Sequence, residues 1–273
     1  MLFKSSVCDK CENIYDAVER QCPKCGGNNS NPDAHKNHRG ITWLPRWQEI
    51  VFFLVGWLGL NVIGLIVSFS FQYLNTVENK VLYMAICQFV TYGILFFGLI
   101  PLVLTNHRNI LKAFKKATPY VMGVLIGVGV LFFNSIYNRI ISSFIELEVN
   151  ENESLIRQMT VAFPILSVII FVFVGPICEE LTYRLGLFSF FARFGKWVAY
   201  LVTILVFALI HFDFMAESTD AYIIELLNLP SYMVAGAALC FAYHYFGLAS
   251  SMTAHILNNL VAISSILILN GIG

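Results

Sequence analysis

From Trp47 onward the chain is a succession of long apolar stretches joined by short polar connections, whereas its first forty residues are polar. Each stretch approaches the ~20 residues with which a helix crosses ~30 Å of hydrocarbon. The pattern predicts seven membrane helices: Gln48 to Leu74, Val81 to Leu104, Pro119 to Ile145, Pro164 to Phe191, Trp197 to Phe212, Pro230 to Phe246 and Leu248 to Leu269. Asn152 to Val161 and Ala221 to Leu229 read as short helices lying at the interface or folded back into the protein. The expected fold is therefore an all-α polytopic membrane protein with about seven transmembrane helices, six to eight, behind a small N-terminal module. The expected division is 1–30, a linker over 31–46 and a membrane domain over 47–273.

Composition agrees with a membrane location. Of 273 residues 58% are hydrophobic and 12% charged, about half the charge of an ordinary soluble domain, which is roughly 25%. Seventeen basic and seventeen acidic residues cancel, and no basic tract suggests a nucleic-acid partner. The polar start lacks the basic-then-apolar order of a secretory signal.

Lys and Arg in short connections mark the cytoplasmic side. Lys36, Arg39 and Arg46 precede the first stretch; Arg108, Lys112, Lys115 and Lys116 follow the second; Arg193 and Lys196 follow the fourth. The alternate connections hold Glu78 with Lys80, then Glu146, Glu148, Glu151 and Glu153, then Asp213, Glu217, Asp220 and Glu225. The alternation predicts a cytosolic N-terminus and an outward C-terminus.

Cys8, Cys11, Cys22 and Cys25 form two Cys-x-x-Cys pairs, the second reading Cys-Pro-Lys-Cys-Gly. Four thiolates at this spacing can meet a tetrahedral Zn²⁺ at ~2.3 Å and close its shell, as structural sites do. So small a segment has no core of its own, and the metal would supply most of its folding free energy. A reducing cytosol disfavours the alternative of two disulfides. His35 and His38 read as solvated linker residues. Cys87, Cys178 and Cys240 sit in apolar stretches and read as small hydrophobes.

Ionisable side chains at membrane depth mark function, and few occur here. Glu180 and Arg184 are four apart and share a helical face with the acid N-terminal to the base, which reads as a supporting ion pair. Glu179 is turned by ~100° from Glu180, so its carboxylate is free to face a different cavity. His211 has Phe207 one turn before it, and His255 and Asn259 share a face of the last stretch. Glu179 with His211 suggests a general base for water, and His255 with Asn259 could donate to a developing oxyanion, each such donor being worth ~3 to 4 kcal/mol. Gly175 and Pro176 are expected to break the helix and widen the packing around this site.

The sequence Glu179-Glu180-Leu181-Thr182-Tyr183-Arg184 resembles the Glu-Glu-x-x-x-Arg motif of the CAAX protease and bacteriocin-processing (CPBP, or Abi) family. Phe207 to His211 is similar to its Phe-x-x-x-His motif, and His255 to Asn259 to its His-x-x-x-Asn motif. The resemblance covers about Pro164 to the C-terminus, the part that corresponds to the CAAX prenyl endopeptidase core. It implies an intramembrane endopeptidase in which Glu179 and His211 activate water, His255 with Asn259 forms the oxyanion hole, and Glu180 with Arg184 supports the site. It implies a peptide or membrane-protein substrate. The four-cysteine segment over 1–30, read as a zinc ribbon, departs from the eukaryotic pattern, suggests an added module for a protein partner, and points to a bacterial cell membrane.

Two other readings stay open on the residues alone. Glu179, His211 and His255 could be three ligands of a catalytic Zn²⁺, although nothing resembles His-Glu-x-x-His. Alternatively, the polar residues could only bind helices together, in a non-proteolytic scaffold or bacteriocin-immunity protein.

Overall fold

A computed structural model describes residues 5–8, 10–11, 13–16, 19, 21–28, 40–145, 149–216 and 218–271. The linker histidines His35 and His38, the linker charges Lys36 and Arg39, and the loop acids Glu146, Glu148 and Glu217 lie outside these.

The N-terminal module is a two-stranded antiparallel sheet, β1 (Ser5–Val7) and β2 (Ile14–Asp16), with Ser5 opposite Asp16 and Val7 opposite Ile14. The remainder is helical: α1 (Arg46–Ser70), α2 (Lys80–Thr105), α3 (Ala117–Ser142), α4 (Glu151–Ala162), α5 (Pro164–Ala192), α6 (Lys196–Leu209), α7 (Thr219–Phe246) and α8 (Leu248–Gly271). Six of these, α1, α2, α3, α5, α7 and α8, are long and apolar enough to cross a membrane. A short helix, His107–Lys112, links α2 to α3.

The fifth predicted span is the exception. Instead of running to Phe212, α6 is 14 residues long, roughly 21 Å at 1.5 Å per residue, and a turn carries His211. The expected short segment Ala221 to Leu229 and the expected span from Pro230 are one continuous helix, α7, with Pro230 inside it. In an apolar surrounding, losing one backbone bond at a proline costs less than ending the helix and exposing a whole set. Asn152 to Val161 is helical as expected; Asn150 caps it, its side chain accepting from the Glu153 N–H at 3.0 Å.

Helix α5 lies at the centre, with 56% of its span buried against 28% or less in the others. It does not break at Gly175–Pro176. It passes through a π-helical segment (Val168–Val174), a regular turn (Gly175–Glu179) and a second π-helical segment (Glu180–Phe188). Pro176 has no N–H to donate, and widening the helix takes up the missing bond. Glycines let neighbours come close: a Cβ on Gly56 of α1 would overlap the Thr182 side chain of α5, and one on Gly123 of α3 would stand 2.5 Å from the Ser250 carbonyl of α8. Gly127, one turn on, meets Ala254, so a small-xxx-small face joins α3 to α8.

At the Arg46 end of the bundle Arg193, at the close of α5, donates from Nε to Glu49 Oε2 (2.8 Å) and from Nη2 to Glu49 Oε1 (2.9 Å) and the Leu44 carbonyl (2.8 Å). Its Nη1 lies 3.5 Å from Glu19 of the N-terminal module. Arg193 is thus a buried clamp between α5, α1 and that module, not the solvated loop charge that its sequence position suggests. Tyr243 and His244, near the end of α7, are buried: the Tyr243 hydroxyl pairs with Ser189 at 2.7 Å and His244 Nδ1 with the Tyr200 hydroxyl at 3.2 Å. Tyr245 is exposed, as an interfacial anchor would be.

Candidate active site

Helix α5 brings both glutamates to the middle of the bundle with different surroundings. The Glu180 side chain is fully buried, and its Oε1 lies 3.2 Å from Arg184 Nη1 and 2.9 Å from His255 Nδ1. The Glu179 side chain keeps 14% of its exposure. It lines a cavity of about 310 Å³ together with His211, Tyr92, Thr91, Gln88 and Asn152. Adjacent positions on one helix therefore have the separate environments that their angular offset predicts.

His255 of α8 stands between the two carboxylates. A carboxylate only accepts, so the 2.9 Å contact to Glu180 places a proton on Nδ1. Its Nε2 is 3.8 Å from Glu179 Oε2, beyond a direct hydrogen bond. That Glu179 oxygen is buried and has no hydrogen-bond partner among the described residues.

His211 is oriented by the same logic. Its Nδ1 is 2.8 Å from the Phe207 carbonyl, which can only accept, so in the neutral ring Nε2 is left with a lone pair. Tyr232 of α7 stacks on the imidazole at 4.5 Å between centroids. The Phe207 ring sits among the polar groups, 5.0 Å from His211, 5.9 Å from His255 and 4.5 Å below the Arg184 guanidinium. The Phe-x-x-x-His spacing thus supplies both the carbonyl that fixes the tautomer and the ring that packs the site.

Asn259 is less central. Its Nδ2 donates to the Phe171 carbonyl in the first π-helical segment at 2.7 Å, and one N–H of the amide remains for another acceptor. Glu179 and His211 share the cavity, and His255 reaches Glu179 from beside it. Asn259 is held against the wall of α5. Cys178 is buried in the apolar cluster of α1 and α5, as a small hydrophobe.

Several residues around the site were not singled out from sequence. Tyr92 of α2 lines the cavity beside Glu179. Glu225 of α7 is 3% exposed; its carboxylate accepts from the N–H groups of Asp213 and Glu151, each at 3.3 Å. Asn150 donates to the His211 carbonyl at 3.4 Å. Together Glu225 and Asn150 fasten the turn that carries His211 to the start of α4. An acid inside an apolar helix was a usable signal for Glu225; Tyr92, Asn150 and Tyr232 had none.

The groups that could hold a metal lie elsewhere. Among the described residues, the one set of His, Cys, Asp or Glu side chains gathered at ligand spacing is Cys8, Cys11, Cys22 and Cys25, whose sulfurs lie within 4.8 Å of one another. Glu179, His211 and His255 are not so gathered. The knuckles close through Cys8 N–H to the Asn13 carbonyl (3.0 Å) and Cys22 N–H to the Gly27 carbonyl (2.7 Å). A Cβ on Gly27 would stand 3.3 Å from Cys8 Sγ, so the cradle fits closely around the sulfurs. Burial raises the Cys22 thiol, but the backbone N–H groups of Cys25 and Lys24 outweigh it and bring it down to about 6. The Asn13 backbone lowers Cys11, yet the neighbouring Cys25 thiol and burial push it up to about 12. Four crowded sulfurs do not all ionise without a cation, and the donor set fits Zn²⁺.

Residues 161–261 match the family model described as "Rce1-like: Type II CAAX prenyl endopeptidase Rce1-like". The matched segment contains all three motifs, and it bears out the family resemblance that they carry. Neither the curated proteins nor the solved structures contain a match to the chain.

Proposed function

We propose, from the Rce1-like domain over 161–261 and from the cavity that Glu179 and His211 share, that this chain is an intramembrane endopeptidase hydrolysing a peptide bond without a catalytic metal. Glu179 takes a proton from water as the water oxygen bonds to the scissile carbonyl carbon, and His211 Nε2 accepts the second water hydrogen and holds the oxygen in line. The carbonyl oxygen becomes an oxyanion facing His255 Nε2 and the remaining Asn259 N–H. As the C–N bond breaks, Glu179 returns its proton to the leaving amine. With Glu179 and Glu180 ionised and Arg184 cationic, a protonated His255 balances the cluster and has an N–H on each side: one for Glu180 and one for the oxyanion. Glu180 and Arg184 hold His255 and do not touch substrate.

The observation that carries this reading is the contrast between the two adjacent glutamates, one sealed in an ion pair and one opening on the histidine-lined cavity. The ribbon binds one structural Zn²⁺ and faces the cytosol, where its Glu19 meets Arg193; its place beside that clamp makes it a docking or anchoring module, separate from the chemistry. The test is to incubate wild-type protein and His211→Ala in proteoliposomes with a library of single-span peptides and read products by mass spectrometry. Cleavage by wild type and none by His211→Ala is the expected result. Equal cleavage by both would remove His211 from the mechanism.

A further inference from the structure

The site is not equidistant from the two ends of the bundle. Besides Glu179 and His211, the cavity is lined by Gly64 and Ser68 of α1, by Cys87 and Gln88 of α2, and by Asn152 at the start of α4. Ser68 is roughly 33 Å along α1 from Arg46 at ~1.5 Å per residue, and Cys87 is roughly 27 Å along α2 from Thr105. Asn152 is exposed. The cavity therefore runs from mid-depth at Glu179 to the end of the bundle that bears α4 and the His211 turn. The short α6 explains how His211 reaches it: a helix of 14 residues stops where the cavity begins.

The opposite end carries the ribbon and the basic residues: Arg46, Arg108, Lys112, Lys115, Lys116 and Lys196. At the cavity end the basic residues are Lys80, Arg139 and Arg157, with Arg157 bound to Glu153 at 2.6 Å, against Glu78, Glu151, Glu153, Asp213, Asp220 and Glu225. The excess of Lys and Arg places the ribbon end in the cytosol.

Resting on the proteolytic reading above, we infer that the catalytic cavity opens on the extracytoplasmic side. Its substrates are then chain segments unwound at the outer end of a membrane span, not cytosolic C-terminal tails. The walls suit such a segment: Ser68, Gln88, Thr91 and Asn152 offer hydrogen-bonding groups without net charge, as an extended backbone requires. The ribbon lies at the far end, where Glu19 meets Arg193, and cannot hand a substrate to Glu179 directly.

The inference is tested by cysteine accessibility, which needs no substrate. Asn152→Cys and, separately, Ser68→Cys are made in a Cys87→Ser background, with Lys115→Cys as the marker of the ribbon end. Intact cells are treated with a membrane-impermeant methanethiosulfonate. Modification of Asn152→Cys or Ser68→Cys from outside, with Lys115→Cys reacting only after permeabilisation, is the expected result. Reaction of Lys115→Cys from outside, or cavity cysteines that react only after permeabilisation or not at all, would overturn it. A cavity labelled from outside in a protein that cuts no peptide would leave the orientation standing and remove the proteolytic reading.

Discussion

His255 donates from Nδ1 to Glu180 Oε1 across 2.9 Å, tying the last helix of the bundle to the helix that carries both glutamates. The same oxygen lies 3.2 Å from Arg184. Glu180 is therefore the counter-charge of a buried cluster rather than a second base. Glu180→Gln should lower stability by about 3 to 5 kcal/mol, the cost of leaving a buried partner uncompensated, while the amide oxygen still accepts from His255 and part of the turnover survives. Thermal unfolding in nanodiscs beside a turnover assay checks this; unchanged stability would show that the pair is not buried as described.

Tyr232 stacks on His211 at 4.5 Å, and its hydroxyl lies 3.3 Å from the side-chain amides of Asn150 and Asn152. Such a stack is worth ~0.5 to 1.5 kcal/mol, so Tyr232→Leu should slow turnover by up to about tenfold. Tyr232→Phe, which keeps the ring, should recover most of the rate. If Phe were as slow as Leu, the hydroxyl network rather than the stack would be what positions His211.

The amide of Asn259 is anchored on the Phe171 carbonyl at 2.7 Å. As an oxyanion donor it should be used mainly in the transition state, so Asn259→Ala should reduce kcat by roughly 10²-fold with KM little changed. A drop in thermal stability with kcat intact would make Asn259 a wall anchor only.

Elemental analysis should find about one zinc per chain, and Cys22→Ser with Cys25→Ser should remove it. Cys22 is held at about 6, against 9.0 for an ordinary thiol, so the stability that its thiolate gives the ribbon is complete above the ordinary thiol value and is lost as pH falls to about 6. Protons compete with zinc for the thiolates, so zinc should be released on acidification. Zinc retained at full stoichiometry in the double variant would place the metal within the membrane and revive the metal alternative.

The sequence made legible whatever depends on local helical spacing. Glu180 and Arg184 pair at four residues apart even inside a π-helical turn, and Phe207 packs His211 from one turn away. Long-range relations were not legible: nothing within Leu248 to Leu269 says that His255 inserts between Glu179 and Glu180. Hydropathy counted the stretch around His211 as a seventh span because apolarity continues past Leu209, where the helix ends. The expected break at Gly175–Pro176 was a widening instead, since a π-turn keeps the backbone paired where a break would not. Glu225 was read as a loop acid because charge alone does not tell an outer connection from a buried clamp.

The proposed chemistry requires Glu179 as the base, and the direct measurement is cleavage by Glu179→Gln against wild type, with thermal unfolding of both in the same nanodiscs. Gln keeps the volume and removes the basicity, and Glu179 is outside the Glu180–Arg184 ion pair. Unfolding temperatures that agree and peptide cleavage that disappears in the variant are the expected result. Glu179→Gln cutting the same peptides at the wild-type rate would contradict it.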